Sequence, residues 1–216
     1  RNYWSVVDPS KLSYVHNTIS YFPNWSPNIG GWDVGNVTNF SNMCYSAGTF
    51  NDDLSGWNVS SGTNFNRILH NCFLFNHNLS SWNVSNATNM HEMFRGCNSF
   101  NNGGSNGIKD WDVSNVTDLG EMFSQCSDFN QPLTNWDTSS ATIVHSMFLN
   151  AGSFSQSIAH FNTSKVISMA KMLQGSSVNE DLSSWNLSSM STDAIVAGTQ
   201  LAPIIDVFRS SAMSKA

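Results

Sequence analysis

A large aromatic residue returns along this chain at a nearly constant interval. Trp32, Trp57, Trp82, Trp111 and Trp136 are followed by Phe161 and Trp185, with steps of 25, 25, 29, 25, 25 and 24 residues. The long step holds a Gly/Asn-rich insertion around Asn102–Gly107, and the short one lacks a residue near Ser177. With this residue at offset 0, other columns keep their chemical type. Offset 2 reads Val34, Val59, Val84, Val113, Thr138, Thr163 and Leu187, and offset 11 reads Met43, Ile68, Met93, Met122, Met147 and Met172. Offset 18 reads Phe50, Phe75, Phe100, Phe129 and Phe154, and an Ile or Leu stands three residues before each aromatic. Self-similarity of this period means that each unit buries its apolar side only against its neighbours.

The spacing Leu-x-x-Trp-x-Val predicts a short strand with Leu54, Trp57 and Val59 inward. Apolar residues at offsets 8, 11 and 12 have i, i+3, i+4 spacing, which predicts a helical turn opposite it. The expected fold class is an α/β repeat solenoid: a leucine-rich-repeat-like right-handed superhelix with a parallel sheet of one short strand per repeat. The expected organisation is an N-terminal cap over 1–31, about six repeats over 32–190 and a C-terminal cap over 191–216. The Trp column is expected in the core, its indole N–H groups needing local acceptors.

Ser and Asn make up 64 of the 216 residues and charged residues only 11%, with a net charge of −6 and no basic cluster. That balance argues against nucleic acid and anionic membranes as partners. No apolar run approaches the length of a transmembrane helix. The chain begins at Arg1, which reads as a processed or excised piece of a longer product.

The unit Trp-Asp-Val-Ser-Asn-Val-Thr-Asn-Met-x-x-Met-Phe-x-x-Cys-x-x-Phe-Asn-x-x-Leu, best kept from Trp82 and from Trp111, resembles the BspA-like leucine-rich repeat family of surface proteins. The resemblance implies an extracellular or surface-exposed array on a cell or virion, with a binding or structural task and no catalytic residues. Cys44, Leu69, Ala151 and the last repeat depart from the pattern.

Polar candidates follow from the columns. Offset 1 is always Asp or Asn: Asp33, Asn58, Asn83, Asp112, Asp137, Asn162 and Asn186. On a strand these would face away from Trp. They are the candidate ligand-binding row for a glycan or protein, or else an Asn ladder or a set of side chains bonded to their own backbone. The Thr column at offset 6 is conceivable as an ice-binding array, against which the irregular turns argue. Sequons at Asn24, Asn36, Asn39, Asn78, Asn86 and Asn115 are candidate glycosylation sites if the chain is secreted by a eukaryotic route.

Other groupings point to no chemistry. Cys72, Cys97 and Cys126 share offset 15 with alanines, the mark of a small buried position, and Cys44 is read with them as a core thiol. Gly103-Gly-Ser105-Asn-Gly107 matches a nucleophile-elbow pattern but lies in the insertion, expected to be a flexible loop. The histidines are expected to be scattered on the surface. His91 and His145 share offset 9 two repeats apart, about 10 Å by strand spacing and too far for one ion. The resulting expectation is a non-enzymatic interaction module without metal or cofactor, binding a protein or glycan. The alternative is a structural segment of a fibre, coat or virion surface that meets neighbouring chains.

Overall fold

The computed structural model describes residues 28–190. Most of both expected caps lies outside them. Successive repeats stack as coils, but not through the expected elements. Among the described residues there is no α-helix and no β-strand, and the only helical pieces are 3₁₀ turns at Asn102–Gly104 and Asn106–Asp110. The expected α/β leucine-rich-repeat-like superhelix with a parallel sheet is therefore incorrect. Parallel pairing is reduced to one isolated bridge per step at offset 7, along Asn39, Asn64, Asn89, Asp118, Ile143 and Ser168.

The coil is built from β-turns laid end to end. Backbone N–H groups at offsets 0, 5, 11, 15 and 18 donate to the carbonyl three residues back; in the second coil these are Trp57→Leu54, Gly62→Val59, Ile68→Phe65, Cys72→Leu69 and Phe75→Cys72. Two positions per coil are left-handed. Offset 10 is Asn42, Arg67, Glu92, Glu121, Ser146 and Lys171; offset 14 is Ser46, Asn71, Gly96, Gln125, Asn150 and Gly175; all twelve have positive φ. Such a residue at the third position of a turn reverses the chain and stops it from winding into a helix. The amides at offsets 8, 10, 12 and 14 are then turned towards the next coil. In the second coil Phe65, Arg67, Leu69 and Asn71 donate to Asn89, His91, Met93 and Arg95 at 2.7–3.1 Å. Alternating donors serve the coil and its neighbour, so the segment satisfies its backbone without a ladder of strands.

The core runs the length of the stack. Trp57, Trp82 and Trp111 lie parallel with ring centroids 6.4 Å apart, and Phe50, Phe75, Phe100, Phe129 and Phe154 form a second column at 5.6–6.1 Å. Each buried indole N–H finds its acceptor in the carbonyl at offset −3 of the preceding coil: Trp57 on Ile29, Trp82 on Leu54, Trp111 on Leu79, Trp136 on Ile108, Trp185 on Ile158. That carbonyl also closes its own turn. Phe161 cannot donate, and there the imidazole Nε2 of the adjacent His160 lies 3.0 Å from the Leu133 carbonyl. The four cysteines are buried and free, and the thiols of Cys72, Cys97 and Cys126 reach carbonyls of the coil before. Burial pushes the Cys97 thiol well above the ordinary thiol range, so it stays protonated and inert.

The Asn ladder exists, but at offset 19. Asn51, Asn76, Asn101 and Asn130 each accept, through Oδ1, the backbone N–H of the next coil's residue at that offset. The insertion is fastened rather than left as a free loop. Fully buried Asn102 accepts from the Leu79 N–H at 2.7 Å and donates to the Ser80 hydroxyl and the Ser105 carbonyl.

Candidate functional site

The offset-1 row is exposed, as expected of a binding face, although no strand carries it. Each Oδ1 accepts the backbone N–H two residues on, from Asp33–Gly35 through Asn58, Asn83, Asp112, Asp137 and Asn162 to Asn186–Ser188, at 2.9–3.2 Å. The hydroxyls of Ser60, Ser114 and Ser164 donate to the same oxygens. These are Asx turns, the backbone-bonded alternative, and the residues that make them stay exposed. The Ser139 N–H, and then its hydroxyl, hold the Asp137 carboxyl below the usual carboxylate range.

Three of the sequons, Asn36, Asn86 and Asn115, stand at offset 4, just after these turns. Asn36, Asn78, Asn86 and Asn115 are exposed and Asn39 is half-buried, while Asn24 lies outside the described residues. The amides of Asn86 and Asn115 donate to the Ser60 and Ser85 carbonyls of the preceding coils. Threonine hydroxyls at offset 6 are likewise spent on the Thr carbonyl of the coil before. Ser105 Oγ lies 3.1 Å from Ser80 Oγ between two 3₁₀ turns. It has neither the strand-turn-helix setting nor a base.

The expectation of scattered surface histidines fails for His70, His91 and His145. They gather on the left-handed turns of the middle coils around Glu92, which is 3% exposed. Arg67 Nε lies 3.0 Å from Glu92 Oε1, and the nearest nitrogens of His91 and Arg95 stand 3.0 and 3.1 Å from its oxygens. His70 Nδ1, itself buried, lies 2.8 Å from Glu92 Oε2. Burial alone would raise the Glu92 carboxyl; hydrogen bonds from His70, His91, Arg67 and Arg95 outweigh it and hold the group far below the usual range. His91 also lies 3.2 Å from Asp118 Oδ1 through Nδ1. Asp118, then Glu92, raise its imidazole to about 9. Glu121 Oε2 is 3.0 Å from Arg95 Nε, and Glu121 Oε1 is 3.8 Å from His145 Nε2.

His91 and His145 are not 10 Å apart: their ring centroids are 5.7 Å apart. The reason is Gly120, which holds offset 9 in the coil between them. A Cβ there would stand 2.9 Å from His91 Nδ1 and 3.0 Å from His145 Cε1. Its absence lets both imidazoles lean into one space. Strand spacing measures backbones, and here a missing side chain shortens the distance between rings. The signal was in the sequence as a glycine flanked by two histidines in one column.

No helix among the described residues is long and apolar enough to cross a membrane. No curated protein and no solved structure matches the chain. A family model described as "Mycoplasma protein of unknown function, DUF285" matches residues 4–106 and again 102–200.

Proposed function

From the premise that the chain belongs to the DUF285 family, we propose that it is a non-enzymatic interaction module, exposed at a surface, whose offset-1 row meets a glycan or protein partner. The observation that carries this reading is the row itself. Asp33, Asn58, Asn83, Asp112, Asp137 and Asn162 are exposed one per coil, and each is held in one conformation by its own turn. A fixed polar array lowers the ordering cost of binding. Neutral amides and carboxylates with little positive charge suit the hydroxyls of a sugar or the backbone of a protein. The likeness of the repeat to BspA-like surface proteins and the exposed sequons support a surface setting.

A printed glycan array tests it. Asp112→Asn with Asp137→Asn keeps the Oδ1 acceptor that closes each turn and removes only the charge. Selective retention of some glycans, weakened about tenfold or more in the double variant, is the expected result. An array blank for every glycan, with sedimentation showing only multiples of the chain mass, transfers support to the structural-segment reading.

A further inference from the structure

We propose that His91, Glu121 and His145 form a transition-metal site, of the kind that takes Zn²⁺, bridging three consecutive coils. One ligand atom from each can be chosen so that all three lie within 4.8 Å of one another. They stand at offsets 9, 10 and 9 of the coils that begin at Trp82, Trp111 and Trp136. Two imidazoles and one carboxylate are the donor set that zinc sites use, with a fourth position left for water. Softer ligands would be needed to favour copper(I), and an all-oxygen set to favour calcium or magnesium.

Three features make this a built site rather than a chance grouping. Gly120 leaves open the space between the imidazoles, where a Cβ would touch both. Asp118 accepts from the Gly120 N–H at 2.9 Å through Oδ1 and places that oxygen 3.2 Å from His91 Nδ1. That carboxylate–imidazole arrangement orients a metal-binding histidine. Arg95 grips one oxygen of Glu121 at 3.0 Å, and Glu121 Oε1 faces His145. All three ligands are half-buried, so an ion can enter without the core opening.

His91 has both nitrogens beside carboxylates, Asp118 and Glu92. Binding therefore exchanges one of those contacts and a proton for the ion; the proton leaves to solvent and no electron moves. This role is separate from partner recognition at the offset-1 row, and neither reading depends on the other.

Calorimetric titration of the full chain with Zn²⁺, after treatment with a chelator, tests the site. One equivalent is expected to bind, and Co²⁺ in its place is expected to give the intense visible absorption of a four-coordinate ion. His145→Ala and Glu121→Gln each weaken binding at least about tenfold, with the fold checked by Trp fluorescence. Gly120→Ala weakens it by pushing the imidazoles apart, and His77→Gln, outside the cluster, leaves it unchanged. Should His145→Ala fail to fold, Glu121→Gln and the cobalt spectrum still decide. Absence of saturable binding, or unchanged affinity in His145→Ala or Glu121→Gln, overturns the assignment.

Discussion

His160 shows how a single position repairs a lost column. Wherever Trp stands at offset 0, its indole N–H supplies a second hydrogen bond to a buried carbonyl of the preceding coil. Phe161 keeps the ring and loses the donor, and His160 brings a nitrogen to the Leu133 carbonyl, which also accepts the Trp136 N–H. The two residues are then thermodynamically coupled. His160→Ala should cost about 1 kcal/mol, the net worth of one such hydrogen bond. With Phe161→Trp already in place the same change should cost close to nothing, because an indole N–H again serves Leu133. Denaturant unfolding of the two single variants and the double variant measures this coupling. Equal cost of His160→Ala in both backgrounds would show that the imidazole contributes nothing through Leu133.

The repeated turn explains which parts of the fold were legible and which were not. Offsets 8, 11, 12 and 15 all face inward, and that spacing is the one a helix would show. Turns of i→i+3 closure placed end to end generate it equally well. The distinguishing feature is the sign of φ at offsets 10 and 14, which composition largely hides: Gly96 and Gly175, and more weakly Asn42, Asn71 and Asn150, announce it, while Arg67, Glu92, Glu121 and Lys171 are ordinary helix formers held left-handed. The Trp, Phe and Cys columns could be read because burial follows residue type whatever the backbone does. Leu-x-x-Trp has the spacing of a strand because a turn that closes on the Leu carbonyl also brings both side chains inward. The difference can be measured at Lys171, an exposed left-handed residue with φ 59°. In a helix, Lys171→Gly would cost about 1 kcal/mol. Here it should stabilise the chain by about 0.5–1 kcal/mol, since glycine sheds the left-handed penalty but adds unfolded-state entropy. A lowered denaturation midpoint would contradict the turn.

Across the whole stack, the polar cluster joins four coils, from Arg67 and His70 through Glu92 and Asp118 to Glu121 and His145. Its charges link stability to pH with opposite signs at the two ends. Glu92 is depressed below its ordinary 4.5 because the hydrogen bonds of His70, His91, Arg67 and Arg95 outweigh its burial. Its contribution is therefore complete above pH 4.5 and disappears as the pH falls through the lower folded value. His91 is raised from 6.5 to about 9 by Asp118 first and Glu92 second. Its contribution is complete below pH 6.5 and is lost as the pH rises through about 9. The groups facing His91 are Asp118 from the next coil, His145 from the coil after that and Glu92 from its own coil. Stability should form a plateau between pH 4.5 and 6.5 and fall on either side. Denaturation midpoints across this range, with a chelator present so that no bound ion contributes, should show the alkaline decline between pH 6.5 and 9 in the natural chain. His91→Gln should flatten that decline while an acid limb remains, since Glu92 keeps His70, Arg67 and Arg95. An alkaline decline of the same depth in His91→Gln would assign it to other groups and remove His91 from the set of charges that bind the coils together.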